Sequence, residues 1–232
     1  MDDESLKVSQ TYYFCISYSN ESIKGVDWMS TGDLFVQIKT YKLDMPKLEI
    51  HYPQVYGLKN IYVQDRINNA ILEAIYEQLK EQGYYDNENT EVTGTWELKN
   101  NSKGILSLTL INYAFSGGAH GLTKVKGLTF DLETGKKYAL PELFKKKSDY
   151  VEILSEKIKE QIKERNIPVI NEFNRIKIDQ DFYVADLTLV IFFQLYEITP
   201  YVYGIPYFPI SIYEIEDIID EKGPLGKMLS KI

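Results

Sequence analysis

Cysteine and histidine are scarce in this sequence. Its 232 residues include one cysteine, Cys15, and two histidines, His51 and His120. One cysteine cannot form an internal disulfide, and three such side chains are too few for a closed zinc site of four Cys and His ligands. Cys15 lies in an apolar, strand-like segment, where we expect an inert buried thiol rather than a nucleophile. We therefore expect no metal site and no cofactor.

Basic residues are outnumbered by acidic ones. The sequence has 26 Lys and Arg against 34 Asp and Glu, which gives a net charge of −8 at pH 7. Proteins that bind duplex nucleic acid usually present a basic surface, so we expect no nucleic-acid partner. Apolar runs are also short, and none reaches the roughly 18 residues that span a bilayer.

Signatures of the common enzyme classes are missing as well. The sequence contains no GxGxxG, GxxxxGK[ST], GxSxG, HExxH or CxxC. Dinucleotide-binding, P-loop, α/β-hydrolase, zincin and thioredoxin-like activities therefore have no motif support. From Asp86 onward the carboxylates follow EF-hand spacing, but Glu91 occupies the position where a calcium loop needs glycine. We interpret this segment as a solvated turn.

Hydrophobic periodicity predicts strands and one helix in the first half of the chain. Alternating apolar and polar residues predict strands at 11–19, 34–43 and 48–52, the last of which ends at Pro53. From Asn60, a candidate N-cap, apolar residues recur every three or four positions, which predicts an amphipathic helix. Its apolar stripe comprises Ile67, Ile71, Ala74, Ile75 and Leu79, and Gly83 ends it.

The second half of the chain repeats this alternation of strands and a helix. An antiparallel meander is predicted first, ending in a tight turn at 133–136. A second helix is predicted after Ser148, with Pro168 beyond its end. A hairpin follows, whose second strand is apolar enough for a central position in a sheet. The predicted strands are 91–98, 105–113, 122–132, 182–184 and 187–195.

Two helices that interrupt runs of strands are the pattern of an α+β fold. We predict an antiparallel or mixed sheet meander with two main helices packed on it. Residues 1–33 are expected to be an N-terminal extension with one strand. Subdomains at 34–115 and 116–222 are expected to follow it and to form one compact unit.

Residues 116–121, SGGAHG, are the first candidate binding segment. Three glycines in six residues let another backbone or a ligand approach closely. His120 is either a ligand contact or general base, or a hairpin histidine that is hydrogen-bonded to nearby backbone. The candidate ligand-binding residues here are Ser116, Gly117, Gly118 and His120.

Residues 196–204 are the second candidate segment, in which tyrosines cluster around a proline turn. Tyrosines on a loop give a large contact area with few torsions to freeze, which suits a protein or sugar ligand, although they can equally cover the end of a sheet. The candidate residues are Glu197, Pro200, Tyr201 and Tyr203. Because both segments follow β runs, we predict that they emerge at the same sheet edge and share one site.

Four ordered motifs carry a resemblance to a known family. They are SGGAHG at 116–121, TFDLETGK at 129–136, LPELF at 140–144, and YEITPY at 196–201 with Gly204. Together they resemble a bacterial domain of unknown function that forms the C-terminal part of the extracytoplasmic region of lysozyme-sensing anti-sigma factors. Residues 34–113 resemble its N-terminal partner domain, which also precedes some peptidoglycan deacetylase domains.

The resemblance implies an extracytoplasmic, non-catalytic binding or sensing module of a cell envelope. Its expected ligand is a protein such as lysozyme or a cell-wall glycan. The alternative is a hydrolase that acts on peptidoglycan or related glycans through His120 and a carboxylate such as Glu197. A structural interaction domain within a larger envelope assembly is a third interpretation. The chain departs from the family in lacking a transmembrane helix, a sigma-binding segment and a glycine in the turn at 185–187, and in the larger residues Val202 and Tyr203.

Two further expectations concern location and charge. Residues 1–9 are polar, and we expect them to be the remnant of a linker to a removed leader or anchor, whose export signal the parent gene would encode upstream. The alternative is a cytoplasmic protein. Residues 124–147 contain seven lysines and three acidic residues, which would suit an anionic wall polymer, whereas the acidic remainder of the chain would attract a basic protein such as lysozyme.

Overall fold

The computed structural model describes residues 35–229. The predicted strand at 11–19, the thiol of Cys15 and the linker at 1–9 lie outside the described residues. The fold is α+β, as predicted, with two sheets and a few helices. The elements are β1 Gln37–Met45, β2 Leu48–Tyr56, α1 Ile61–Glu81, β3 Glu91–Ser102, β4 Ile105–Phe115, β5 Leu122–Asp131, α2 Tyr150–Glu164, β6 Phe182–Ala185, β7 Thr188–Phe192, β8 Tyr207–Ser211 and α3 Pro224–Leu229.

The larger sheet has five strands in the order β1-β2-β3-β4-β5. Strands β3, β4 and β5 form the predicted antiparallel meander. β2 and β3 pair in parallel, which requires a crossover connection, and α1 provides it. The predicted end of β2 at Pro53 is wrong, because the strand continues to Tyr56. β3 pairs with β2 only at Leu48–Ile50, so Pro53 lies in an edge segment that tolerates a residue without an N–H group.

Helix α1 covers one face of this sheet, and its prediction is confirmed. The side chain of Asn60 accepts a hydrogen bond from the Tyr62 N–H at 3.0 Å, which satisfies one of the free donors of the first turn. The five predicted stripe residues are all buried, together with Val63, Gln78 and the inward side chains of the sheet. This packing makes the first hydrophobic core.

A smaller sheet with the order β6-β7-β8 carries the second core. The predicted central position of its apolar strand is confirmed for β7. This strand ends at Phe192 rather than residue 195 because the chain turns at Gln194, whose N–H bonds the Glu197 carboxylate and whose carbonyl oxygen accepts from the Glu197 N–H. Helix α2 packs against this second core through Leu154 and Ile158. The two helices thus cover different sheets. β5 lies beyond the predicted subdomain boundary at 115–116 and pairs with β4 on the other side of it. The division into two subdomains stays a prediction.

The smaller sheet rests on the larger one through β6. The Val184 N–H donates to Ser107 Oγ at 3.0 Å, and Ser107 in turn is hydrogen-bonded to Thr129 Oγ1 at 2.8 Å. Gly127 on β5 faces the β6 backbone so closely that a Cβ there would lie 1.9 Å from the carbonyl oxygen of Phe182. Among residues 35–229, no helix has both the length and the apolarity to cross a membrane.

The predicted turn after β5 is organised by a buried carboxylate. Asp131 accepts hydrogen bonds from the N–H groups of Glu133 and Thr134 at 3.0 and 2.9 Å. Its other oxygen binds Lys227 Nζ of α3 at 2.7 Å. Burial by itself raises the pKa of Asp131, but the bonds from Lys227 and Thr134 outweigh it and lower the pKa below the ordinary value. Asp131 therefore ties the C-terminal helix to the larger sheet.

We expect Asp131→Asn to lower the free energy of unfolding by about 1–2 kcal/mol at neutral pH, because the charge that binds Lys227 is lost. Since the folded-state pKa is lowered, the ionised carboxylate stabilises the fold at pH values above the unfolded-state pKa, and this contribution disappears as the pH falls through the folded-state pKa. Urea unfolding at pH 7 and pH 3 measures the effect. A difference between wild type and variant that is as large at pH 3 as at pH 7 would contradict it.

Candidate functional site

The two candidate loops lie against each other. Residues 116–121 connect β4 to β5, and residues 196–204 connect β7 to β8. The imidazole of His120 stacks on the ring of Tyr201 with 4.0 Å between centroids and 21° between planes. The Tyr201 hydroxyl donates to the carbonyl oxygen of Gly121 at 3.1 Å. The loops therefore meet, but the predicted common sheet edge is wrong, because the two loops leave two different sheets.

Two further tyrosines complete this contact. The Tyr196 hydroxyl lies 3.4 Å from His120 Nε2, and its ring lies 5.6 Å from that of Tyr201. Tyr113, at the end of β4, accepts a hydrogen bond from the Gly121 N–H at 3.2 Å. We call Tyr113, His120, Tyr196 and Tyr201 the aromatic cluster. Tyr113, which is 41% exposed, was not among the predicted site residues. The signal available in the sequence was a tyrosine at the end of the predicted strand 105–113, just before the first candidate loop.

Sequence and local packing fix the first loop at both ends. Ser116 Oγ is hydrogen-bonded to Thr90 Oγ1 at 2.8 Å. Gly121 is buried, and a Cβ there would lie 2.3 Å from the carbonyl oxygen of Ala114, so only glycine fits. Between these ends Gly117 and Gly118 are exposed and have φ values of +94° and +98°, which other residues rarely adopt. The loop is therefore held at Ser116 and Gly121, and its backbone between them is exposed to solvent.

The second loop is held by a single helical turn. Pro200 precedes a short 3₁₀ helix, Tyr201–Tyr203, and its carbonyl oxygen accepts from the Tyr203 N–H at 3.0 Å. Thr199 is fully buried, and its hydroxyl donates to the carbonyl oxygen of Gly204 at 3.3 Å. The turn fixes Tyr201 toward His120 while Val202 and Tyr203 remain exposed.

Glu197 has a different environment from the aromatic cluster. One carboxylate oxygen binds Lys177 Nζ at 2.6 Å, and the other accepts from the Gln194 N–H at 2.8 Å. The side chain is only 18% exposed. The structure brings His120 and Glu197 into the same loop region, but the His120 contacts described above are with Gly121, Tyr196 and Tyr201. The acid–base pair of the hydrolase alternative is therefore not formed, and Glu197 acts as a brace for the loop.

The outer side of the loops is apolar and exposed. Val202 is 91% exposed, and Tyr196 is 50% exposed. We define the recognition surface as the aromatic cluster together with Leu122, Val202 and Tyr203. Leu122 and Val202 were not among the predicted site residues. Several bulky apolar side chains gathered at one exposed site are more typical of an interaction surface than of scattered surface residues.

Some of the lysines in the segment at 124–147 are paired with carboxylates. Lys124 pairs with Glu81, and Lys136 pairs with Glu142 at 2.8 Å. Lys145 donates to the backbone carbonyl of Asp217 at 2.8 Å. The carboxylates of Glu81 and Glu142 offset part of the positive charge that an anionic wall polymer would need. In residues 35–229, no group of three or more His, Cys, Asp or Glu side chains has the geometry of a metal site.

Two family models match separate parts of the chain. Residues 40–123 match the model described as "Deacetylase PdaC", and residues 141–213 match "Protein of unknown function (DUF3298)". The first loop, which we expected in the C-terminal subdomain, lies inside the PdaC-matched segment, and the second loop lies inside the DUF3298-matched segment. The aromatic cluster is thus built from both segments. No curated protein matches the chain.

Solved structures of the DUF3298 family share the fold. A member from Bacteroides fragilis NCTC 9343 is 16% identical, with a TM-score of 0.64, and the match covers 86% of this chain and 100% of that one. A DUF3298 family protein from Pseudomonas aeruginosa PAO1 is 14% identical, with a TM-score of 0.64 and coverage of 85% and 98%. The chain therefore shares the fold of these two DUF3298 family proteins.

Proposed function

We propose that the chain is a non-catalytic binding module of a cell envelope that recognises a basic protein such as lysozyme through the recognition surface. The observation that carries this proposal is the contact between His120 and Tyr201, which fixes two loops into one exposed aromatic surface. Large, rigid aromatic side chains near the centre of an interface supply most of the binding free energy in protein complexes. The envelope location rests on the resemblance to extracytoplasmic domains and the two family matches.

A protein partner suits the surface better than a glycan. Small-molecule sites are usually concave and carry a few convergent polar groups. The recognition surface instead projects Val202 and Tyr196 outward, and the nearby carboxylate of Glu197 is occupied by Lys177. The net charge of −8 would speed the capture of a basic protein through electrostatic steering.

The hydrolase alternative has less support. A general base must lie within hydrogen-bond reach of the proton that it removes, and a third group usually orients it. His120 is bound to the backbone and to tyrosines, while both oxygens of Glu197 are engaged elsewhere. Within residues 35–229, the hydrogen bonds of the His120 imidazole are thus to a backbone carbonyl and a tyrosine, and not to the paired carboxylate that hydrolysis would use.

Calorimetric titration of the full chain with hen lysozyme tests the proposal. We expect binding that weakens as salt is raised, because part of the attraction is electrostatic. Val202→Ser should weaken it about tenfold through lost apolar contact. The control is Ile61→Ser, which removes a 53% exposed aliphatic side chain at the first residue of α1, outside the recognition surface, and should leave the affinity unchanged.

The same preparation is then incubated with soluble peptidoglycan fragments. We expect no product. Binding to the fragments without binding to lysozyme would replace the protein partner by a glycan. Turnover that disappears in His120→Ala would overturn the non-catalytic assignment.

A further inference from the structure

One face of the larger sheet packs on α1, and part of its other face is exposed at β3 and β4. Val92 of β3 and Ala114 of β4 pair with each other and are buried in the first core. Thr93 and Tyr113, the residues next to them, also pair with each other, and both are exposed. Because successive residues of a strand point to opposite faces, Thr93 and Tyr113 lie on the face away from α1. We call the exposed or half-buried residues of this region the open face, and they are Glu49, Glu91, Thr93, Thr95, Tyr113 and Phe115.

Tyr113 joins the open face to the recognition surface. It belongs to the aromatic cluster, where its hydroxyl accepts from the Gly121 N–H at 3.2 Å. On the sheet its direct cross-strand neighbour is Thr93, and the Cβ atoms of such a pair lie about 5 Å apart. The 2.8 Å hydrogen bond between Thr90 and Ser116 also holds the start of β3 beside the first loop. The open face and the recognition surface are therefore continuous.

A protein partner needs more contact area than the recognition surface provides. A typical protein complex buries roughly 800 Å² and about 20–30 residues on each side. The recognition surface comprises far fewer side chains, so the footprint of a protein partner has to extend beyond it. Because the open face adjoins the recognition surface through Tyr113, it lies where such an extension would begin.

The side chains of the open face suit a protein contact. Thr93 and Thr95 are short and β-branched, so fixing them in an interface costs less conformational entropy than fixing lysine or glutamate. Tyr113 and the half-buried Phe115 supply aromatic contact area. Glu91 pairs with Phe115 across the strands and adds a charge beside the aromatic residues. Aromatic residues with charged groups around them are the usual composition of a protein interface.

The charges of this region match a basic partner. Glu49 of β2 lies beside Thr93 in the sheet register. It shares Lys42 with Asp44, at 3.1 and 2.8 Å from the two carboxylates. Glu91 is exposed and forms no ion pair within residues 35–229. This part of the face therefore carries more carboxylates than lysines, which attracts a partner that presents cationic side chains.

We propose that the open face is the second part of the binding footprint, and that a basic protein held at the recognition surface places cationic side chains against Glu91 and Glu49. The inference rests on the proposed function and deepens it, because it states where on the chain the positive charge of the partner is received. The exposed side chain of Val202 then supplies apolar contact, while the open face supplies charge complementarity.

Calorimetric titration with hen lysozyme tests this assignment on the full chain and its charge-reversal variants. Glu91→Lys should weaken binding about tenfold and reduce its dependence on salt, because a carboxylate that faces cations becomes a like charge. The matched control is Glu160→Lys, which changes the net charge equally at an exposed position of α2, the helix that packs on the second core. It should change the affinity less than about twofold, since salt screens distant charges.

Position 93 provides a second test that does not remove a carboxylate. Thr93→Arg places a large cationic side chain beside Tyr113 and should weaken lysozyme binding about tenfold or more. Thr93→Val keeps the size and the β-branched shape and should weaken it much less. Thr93 and Glu91 are exposed, so thermal unfolding of these variants should resemble that of wild type.

The outcomes separate this inference from the proposed function. Lysozyme binding that weakens in Val202→Ser but is unchanged in Glu91→Lys and Thr93→Arg would overturn the second part of the footprint and leave the proposed function intact. Equal losses in Glu91→Lys and Glu160→Lys would also overturn it, because net charge alone would then explain the effect. Absence of binding to the wild-type chain would overturn both.

Discussion

Replacing Gly127 with alanine is expected to lower the free energy of unfolding by about 3 kcal/mol or more, with the larger sheet and the smaller sheet both affected. Gly127 lies on β5, and β6 crosses directly above it. A Cβ at this position would be 1.9 Å from the Phe182 carbonyl oxygen and 2.9 Å from its carbon. Both are backbone atoms, so no flexible side chain can move aside.

The cost should therefore appear as a shift of β6 away from β5. This shift would also lengthen the bond from the Val184 N–H to Ser107 Oγ, which is the polar contact that ties β6 to β4. Breaking it leaves the buried Ser107–Thr129 pair without one of its partners. One methyl group thus disturbs packing and hydrogen bonding at the junction of the two cores.

Urea unfolding measures this prediction, and Gly83→Ala is its matched control. Gly83 ends α1 at a φ of +76°, but its Cβ would meet no atom within 4 Å. That substitution should cost only about 1 kcal/mol of backbone strain. If the two variants lose the same stability, the close approach of β5 and β6 is not what restricts position 127 to glycine.

The elements that could be predicted from the sequence are those whose determinants are local. α1 has a side-chain N-cap at Asn60 and a stripe with helical period, and both features act within a few residues of the chain. The meander of β3, β4 and β5 is equally local, because consecutive strands joined by short turns pair with each other. For these parts the tertiary structure reinforces what the local pattern already favours.

The division into two sheets could not be predicted in the same way. β8 is five residues long and contains Pro209, so it resembles a loop until β7 provides its partner. β2 continues through Pro53 because β3 does not pair with it at that position, so no partner there needs the missing N–H group. The sequence of β2 does not show where β3 pairs. The positions of β2 and β8 are determined by pairing between strands that are far apart in the sequence. Hydrophobic periodicity describes single segments and does not indicate which strands pair.

The candidate site shows the same limit. Its loops could be identified from glycine, proline and tyrosine content, because such residues give a loop its shape and its contact area. The pairing of particular side chains could not. Three contacts depend on how the two sheets place their loops. They are the ion pair between Glu197 and Lys177, the hydrogen bond from the Gly121 N–H to Tyr113, and the close approach of Gly121 to Ala114.

Replacing Tyr201 with alanine is expected to weaken lysozyme binding about thirtyfold, or about 2 kcal/mol, while changing stability much less. Tyr201 is half-buried and belongs to neither hydrophobic core. Its ring stacks on His120, and its hydroxyl bonds the Gly121 carbonyl oxygen. Without this ring, His120 and Tyr196 both lose a packing partner, and the contact between Tyr196 and His120 holds the loops less firmly, so we expect the recognition surface to lose its fixed shape.

Calorimetric titration and thermal unfolding of three variants complete this test. Tyr201→Phe keeps the stacked ring and removes only the bond to Gly121, so it should retain most of the affinity. Tyr213→Ala removes an exposed tyrosine outside the recognition surface and should bind like wild type. If Tyr201 instead covers the core, removing its ring would lower the free energy of unfolding of the protein by about 3–5 kcal/mol. Such a loss in Tyr201→Ala, with lysozyme affinity unchanged, would mean that the tyrosines of this loop cover the end of the sheet and that the ligand binds elsewhere.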